Sequence, residues 1–215
     1  MILAAIDSGM IEFDAEAHKY RLFPSDGSPS RLCPSVTTIL GSVFPPPSWS
    51  NEAAMQRGTE RHEATEEWDK HGVGINRAAL SSDQLVAVEL WRDFRETYGF
   101  DPVAIEHTIC HPVEGYAGRI DRVGTLADGS VCLIDIKSKA VMPRYPLQLA
   151  GYTEAWEASG GTKIDAAWCV HLHTTGKPQF VVADHTATLQ TAREDWLTIC
   201  RLYRMRALGL YGLTS

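Results

Sequence analysis

The sequence predicts an α/β fold, one domain in which helices flank a central mixed β-sheet. Three observations predict it. Residues 131–136 read VCLIDI, an almost unbroken apolar run of the length expected for a central strand covered on both faces. Apolar residues at helical spacing recur over 51–71, 81–98, 146–159 and 187–208, and between them lie shorter strand-like runs, in an order that wraps helices around one sheet. Of the 215 residues, 44% are hydrophobic and 22% charged, which is enough apolar material for one sizeable core.

In chain order, the first 50 residues stand apart. Alternating pieces at 10–13 and 19–23, with a cluster of turn formers at 24–30, read as a peripheral β-hairpin within residues 1–33. Pro34-Ser35-Val36-Thr37-Thr38-Ile39-Leu40 then offers Ser35 or Thr37 as the cap of a short helix. Phe44-Pro45-Pro46-Pro47-Ser48-Trp49 is a stiff connector, so residues 1–50 are expected to pack on a core made by 51–215. The helix over 51–71 carries Ala53, Ala54, Ala64 and Trp68 on its apolar side, and Gly58 within it points to close packing or a kink. His62 and Glu66 sit one turn apart on one face of that helix. Leu85, Val88, Leu90, Trp91 and Phe94 form the buried set of 81–98, which Gly99 ends. A strand over 102–110 places Glu106 among apolar neighbours. After the central strands, the helix at 146–159 presents Gln148 and Tyr152 at i, i+4, strands follow at 165–173 and 179–183, and 187–208 closes the chain.

The central hairpin holds charge where a buried strand should not. Asp135 and Lys137 interrupt the apolar run and share one face, while Ile134 and Ile136 point the other way. Unpaired charges there would cost several kcal/mol, so a partner or a metal must compensate them. The preceding strand, 117–125, brings Asp121. A two-residue Asp-Gly loop would set Asp121 opposite Ile136 and away from Asp135. A three-residue loop, with Ala127 and Asp128 in a type I turn and Gly129 left-handed, sets Asp121 opposite Asp135 on one face. The three-residue loop, or an equivalent bulge, is the expectation. Two carboxylates and a lysine then converge on a patch suited to Mg²⁺ and a water beside a phosphodiester.

The bulk numbers narrow the field. A net charge of −7 argues against a strongly basic nucleic-acid coat but leaves room for a local basic groove. Cys33, Cys110, Cys132, Cys169 and Cys200 include no Cys-x-x-Cys pair, which suits a reduced, cytoplasmic chain with thiols in its core. The opening MILAAIDSGMIEFD lacks a basic n-region, and no apolar run approaches the roughly 20 residues that span a bilayer, so neither a secretory signal nor a membrane partner is expected. His171 and His173 alternate on a strand without further ligands at zinc spacing and read as surface histidines. Arg193, Arg201, Arg204 and Arg206 of the last helix read as a solvated face.

With Asp121, the Asp135-Ile136-Lys137 triplet and Gln148-x-x-x-Tyr152 in that order, the chain resembles the PD-(D/E)XK nuclease superfamily. Within it the RecB-type exonuclease branch is similar, since Gly58-Thr59-Glu60-Arg61-His62 matches the Gly-x-x-x-His signature of that branch. His18-x-Tyr20 followed by Pro34-Ser35-Val36-Thr37 is similar to the N-terminal segments of phage exonucleases and of the mitochondrial genome maintenance exonuclease.

The resemblance implies a restriction-endonuclease-like αβββαβ core and a nuclease site. It assigns Asp121, Asp135, the main-chain carbonyl of Ile136 and His62 as ligands of Mg²⁺ or Mn²⁺. Lys137 would position the attacking water or help deprotonate it, with Gln148 and Tyr152 bordering the site and Glu106 and Glu66 in ligand or outer-shell roles. Ser35, Thr37, Arg119 and Tyr152 would touch nucleic acid. Relatives that clamp an iron–sulfur cluster use one cysteine upstream and three near the C-terminus. Here Cys200 is the only cysteine after Cys169, so no cluster is expected. The implied activity is a DNA exonuclease of phage-type recombination or repair, in a bacterial or phage-infected cell. Its partners would be DNA with a free, partly single-stranded end and a recombinase or single-strand-binding protein. A structure-selective endonuclease on the same scaffold and a DNA-end-binding module without turnover are the alternatives.

Overall fold

A computed structural model describes residues 10–14, 19–24, 26–44, 52–137 and 142–210. His18, the connector residues 45–49 and the bend at 138–141 lie outside the described residues.

The N-terminal region forms an antiparallel sheet in the order β1-β2-β3, with β1 at Met10–Asp14, β2 at Lys19–Phe23 and β3 at Arg31–Cys33. The hairpin expected there thus gains a third strand. Tyr20, Leu22 and Cys33 point inward and pack on Cys110 and Ala117 of the main sheet. Helix α1, Val36–Val43, follows with Ser35 as its cap, the Oγ accepting the Thr38 N–H at 2.9 Å.

Helices α2, Glu52–His71, and α3, Ser82–Tyr98, come next, and α2 runs unbroken through Gly58. Ser81 and Gln84 form a capping box at the start of α3, and Gly99 ends it at φ +60°. The main sheet has the order β4-β5-β6-β7-β8: β4 at Asp101–Cys110, β5 at Ala117–Thr125, β6 at Val131–Lys137, β7 at Ala166–His173 and β8 at Gln179–Asp184. Only β6 and β7 pair in parallel, joined through α4, Tyr145–Ala158, so the sheet is mixed. The last helix is α5, Leu189–Ala207. The fold is therefore a single α/β domain with a mixed five-stranded sheet flanked by helices. One face of that sheet packs on α1, α4 and α5 through Leu133, Leu149 and Trp196, the other on α3 through Ile134, Trp91 and Phe94. No helix among the described residues is long and apolar enough to cross a membrane.

The β5–β6 turn is the three-residue loop. Leu126 N–H donates to Ser130 O at 2.9 Å around Ala127, Asp128 and Gly129, and Gly129 has φ +85°. The pairing from Thr125↔Val131 to Arg122↔Ile134 then carries Asp121 opposite Asp135.

Two expectations need correction. His171 is buried, 1% exposed, because β7 lies inside the sheet between β6 and β8, so it is not a surface histidine. Of the α5 arginines Arg201 is exposed as expected, but Arg193 and Arg204 are not simply solvated. Arg193 pairs with Glu154 at 2.5 Å and Glu157 at 2.8 Å, tying α5 to α4, and Arg204 pairs with Glu114 at 2.5 Å.

Candidate metal centre and its surroundings

The sheet register lines up acids on neighbouring strands. On β4, the pairs Ile105↔Arg122 and His107↔Ile120 set Glu106 opposite Asp121, and Asp135 on β6 pairs with Cys169 on β7. Glu106, Asp121 and Asp135 thus occupy one row across three strands. Glu106 has φ +45°, a left-handed conformation that a non-glycine residue holds only under constraint, and such strain collects at functional sites.

Helix α2 supplies the imidazole. His62 Nε2 lies 2.9 Å from the main-chain oxygen of Ile136, and its Nδ1 faces Asp121 Oδ2 at 3.5 Å and Glu106 Oε1 at 3.7 Å. Ligand atoms of His62, Glu106 and Asp121 all lie within 4.8 Å of one another, a spacing that can hold a metal ion. Asp121 Oδ2 also accepts the Ile136 N–H at 2.6 Å, so its carboxylate and the Ile136 carbonyl are fixed from the same peptide region.

Asp135 takes a different set of partners. Lys137 Nζ is 2.5 Å from its Oδ2, and Gln148 Nε2 donates to its Oδ1 at 3.1 Å. Gln148 also accepts from Lys137 at 3.3 Å and lies 3.2 Å from the Tyr152 hydroxyl. The Lys137 ammonium sits 4.9 Å from the centre of the Tyr145 ring. Tyr152 reaches this position because residue 118 is glycine: a Cβ there would stand 2.7 Å from the Tyr152 ring.

The electrostatics follow from these contacts. Burial disfavours the charged imidazole of His62, but Asp121 and Glu106 outweigh it and push its pKa up to about 9. Burial, with Asp135 and Glu106 nearby, raises the Asp121 carboxyl to about 7 despite the opposing His62. Burial would raise Glu106 too, yet His62, Arg122 and Arg119 hold it below the usual carboxylate range. Burial works against the charge on Lys137, but Asp135 and Asp121 keep its pKa above the ordinary lysine value.

The structure brings His62, Asp121, the Ile136 main chain and Glu106 together, and sets Asp135, Lys137, Gln148 and Tyr152 beside them. Glu66 turns elsewhere, to Lys70 at 2.6 Å and Arg119 at 3.6 Å. Arg119 also pairs with Glu106 at 3.0 Å and keeps 38% of its side chain exposed. Ser35 is buried and its hydroxyl is taken up by the α1 cap, 2.9 Å from the hydroxyl of the exposed Thr37.

Sequence reasoning missed Arg122 and Asp69. Both side chains are fully buried and lie 2.5 Å apart, with Arg122 also 2.9 Å from Glu106. The signal was present, since strand alternation turns Arg122 away from Asp121 into the opposite, apolar face, where a charge demands a partner.

No protein-family model matches the chain, and no curated protein matches it either. Among solved structures, the chain is similar to a protein from Eubacterium rectale described as a candidate exonuclease, at 14% identity and a TM-score of 0.47, covering 78% of this chain and 71% of that one. It is also similar to LHK-Exo, solved in complex with dAMP, at 18% identity and a TM-score of 0.36, covering 80% of this chain and 82% of that one. Both likenesses are distant.

Proposed function

We propose that the chain hydrolyses DNA phosphodiester bonds with a divalent metal, Mg²⁺ or Mn²⁺, as an exonuclease acting at a free, at least partly single-stranded end. The observation that supports this reading most is the position of Asp121. Its side chain is 10% exposed, shares a row with two other acids, and among the described residues its one ion-pairing partner is the His62 imidazole. Burying a carboxylate so poorly compensated is costly, and a divalent cation would offset that cost.

The donor set fits such an ion. Carboxylate and main-chain oxygens with one imidazole suit Mn²⁺ or Mg²⁺ better than a thiolate-seeking metal. His62, Asp121, Glu106 and the Ile136 carbonyl would hold it, with Asp135 as a further oxygen donor one strand away. When bound, the cation lowers the pKa of a water and offsets charge on a phosphoryl oxygen.

The remaining roles belong to the chain's own groups. Lys137, held charged between Asp135, Gln148 and the Tyr145 ring, would stabilise the negative charge that grows on the phosphate rather than take a proton. Gln148 fixes Asp135 and Lys137 relative to each other, and Tyr152 steadies Gln148. Arg119 offers a half-exposed guanidinium to a backbone phosphate. Thr37 is better placed for such a contact than the buried Ser35. In this reading the catalytic groups all come from 51–215, while 1–50 adds a strand-guiding edge. The setting would be recombination or repair in a bacterial or phage-infected cytoplasm, beside a recombinase or single-strand-binding protein.

The test is digestion of end-labelled linear DNA with Mn²⁺ by wild type, Asp135→Ala and Lys137→Ala. Each variant should keep its circular dichroism spectrum and lose on the order of 10²–10³-fold in rate or more. Unchanged digestion by both overturns the reading. Covalently closed single-stranded circles should stay whole; cut circles would make the protein an endonuclease, and DNA binding without product would make it an end-binding module.

A further inference from the structure

Arg122 follows Asp121 in the chain, so it points to the other face of β5, and there each nitrogen of its guanidinium is engaged. Nε lies 2.5 Å from Asp69 Oδ2. Nη1 donates to Glu106 Oε1 at 2.9 Å and to the main-chain oxygen of Asp121 at 2.6 Å, and Nη2 donates to Thr65 Oγ1 at 3.3 Å. The group sits 5.6 Å from the centre of the Trp91 ring. Asp69 is held in turn by Arg95 Nη1 at 2.7 Å and by the Trp91 indole N–H at 2.9 Å.

These contacts connect the two parts that must meet at the metal centre. His62, Thr65 and Asp69 recur at i, i+3 and i+7 and so share one face of α2. Arg122 grips Thr65 and Asp69, while His62 reaches Ile136 and Asp121 from the same face. The same guanidinium holds Glu106, whose left-handed backbone needs an outside constraint to aim its carboxylate. A buried ion pair adds little net stability over an apolar filling of the same volume, so stability alone does not account for this one. What a five-donor planar fork provides, and an ammonium does not, is a fixed geometry among several acceptors.

We infer that Arg122, keyed by Asp69, is a positioning residue for the metal centre: it sets His62 on α2 against Glu106 and Asp121 on the sheet. The inference rests on the metal-dependent reading above. Its test is Mn²⁺ affinity, measured by calorimetry and by the electron paramagnetic resonance signal of bound Mn²⁺, for wild type, Arg122→Lys and Asp69→Asn, each compared at a temperature where it is folded.

Arg122→Lys keeps the charge and loses the fork. It should weaken Mn²⁺ binding about 10–100-fold, the range seen when groups that orient metal ligands are removed. It should also change the Mn²⁺ spectrum, while KM for DNA at saturating Mn²⁺ stays at the wild-type value. A folded Arg122→Lys with wild-type Mn²⁺ affinity overturns the inference and leaves the nuclease reading standing, even if its melting temperature falls. Should Arg122→Lys fail to fold, Asp69→Asn decides by the same criterion. A wild-type protein that binds no Mn²⁺ overturns both.

Discussion

Two buried clusters of charge lie back to back across β5, and they are built differently. On the Arg122 side each charge is answered: Arg122 and Arg95 meet Asp69, Arg122 also meets Glu106, and the Trp91 indole donates to Asp69. On the Asp121 side the account does not close. Lys137 answers Asp135, but Asp121 faces an imidazole that keeps 30% of its side chain exposed. Burial of charge is thus not itself the mark of a functional site in this molecule. What separates the two clusters is imbalance: an answered cluster fixes geometry, whereas an under-compensated carboxylate is one whose burial a cation would offset.

The largest expected effect is a contrast between adjacent residues. Arg122→Ala leaves Asp69 and Glu106 buried with too little compensation and should cost about 3–5 kcal/mol, read from the denaturant midpoint. Asp121→Asn should do the reverse. It removes a costly buried charge while an amide oxygen can still accept the Ile136 N–H, so the metal-free protein should melt no lower than wild type although DNA cleavage is lost. If both variants lose stability alike, the two clusters are equivalent and the comparison fails.

Titration sharpens the same contrast. The His62 pKa is raised from 6.5 to about 9, so its contribution to metal-free stability is complete below 6.5 and lost as pH rises through about 9. The Asp121 carboxyl is raised from 3.8 to about 7, so its contribution has the same sign and is lost as pH rises through about 7. The metal-free melting temperature should therefore fall between about pH 5 and about pH 9, and His62→Gln should flatten the upper part of that fall. Metal binding displaces these protons, so Mn²⁺ affinity should rise over the same range, by about tenfold per pH unit for each proton released. A metal-free protein equally stable across the range would mean that neither pKa is raised, so that the acids do not hold the His62 proton and burial does not hold that of Asp121.

Much of this arrangement was legible in the chain, for identifiable reasons. Ala127-Asp128-Gly129 left a two-residue and a three-residue loop open, and the favoured three-residue loop is the one observed, whose odd count places Asp121 and Asp135 on one face. Helix α2 and the shared face of Gln148 and Tyr152 were readable from 3.6-residue periodicity, whereas singling those two out rested on their place after the hairpin and on the resemblance. Strand β3 was not, since three residues are too few to show alternation. Glu106 looked secondary because sequence does not reveal a φ of +45°, which is what turns its carboxylate toward His62 and Arg122. His171 looked superficial because no local pattern tells a central strand from an edge strand, and only the placement of β8 outside β7 buries it.

A smaller effect tests how tightly the Asp135 side is packed. Alanine at position 118 would bring its Cβ within 2.7 Å of the Tyr152 ring, with Val36 on the far side at 3.5 Å. Gly118→Ala should cost about 1–3 kcal/mol as an overpacked site. Because Tyr152 is the neighbour of Gln148, and Gln148 holds Asp135 and Lys137, the rate at saturating Mn²⁺ should fall as well. A stability loss with an unchanged rate would show that Tyr152 can shift without disturbing the charged pair.

The smallest effect applies the same logic to a neutral group. The Ser35 hydroxyl already has the Thr38 N–H at 2.9 Å and the hydroxyls of Thr37 and Thr38 at 2.9 and 2.7 Å, so it is an answered group in the sense that Arg122 is. Ser35→Ala should cost about 1 kcal/mol through the lost α1 cap and leave KM for DNA unchanged. Thr37 is exposed at the same helix start, and Thr37→Ala should do the opposite, raising KM with little change in melting temperature. A rise in KM for Ser35→Ala beyond that of Thr37→Ala would mean that the cap is rebuilt when DNA binds, and that a fully partnered group can still take part in function.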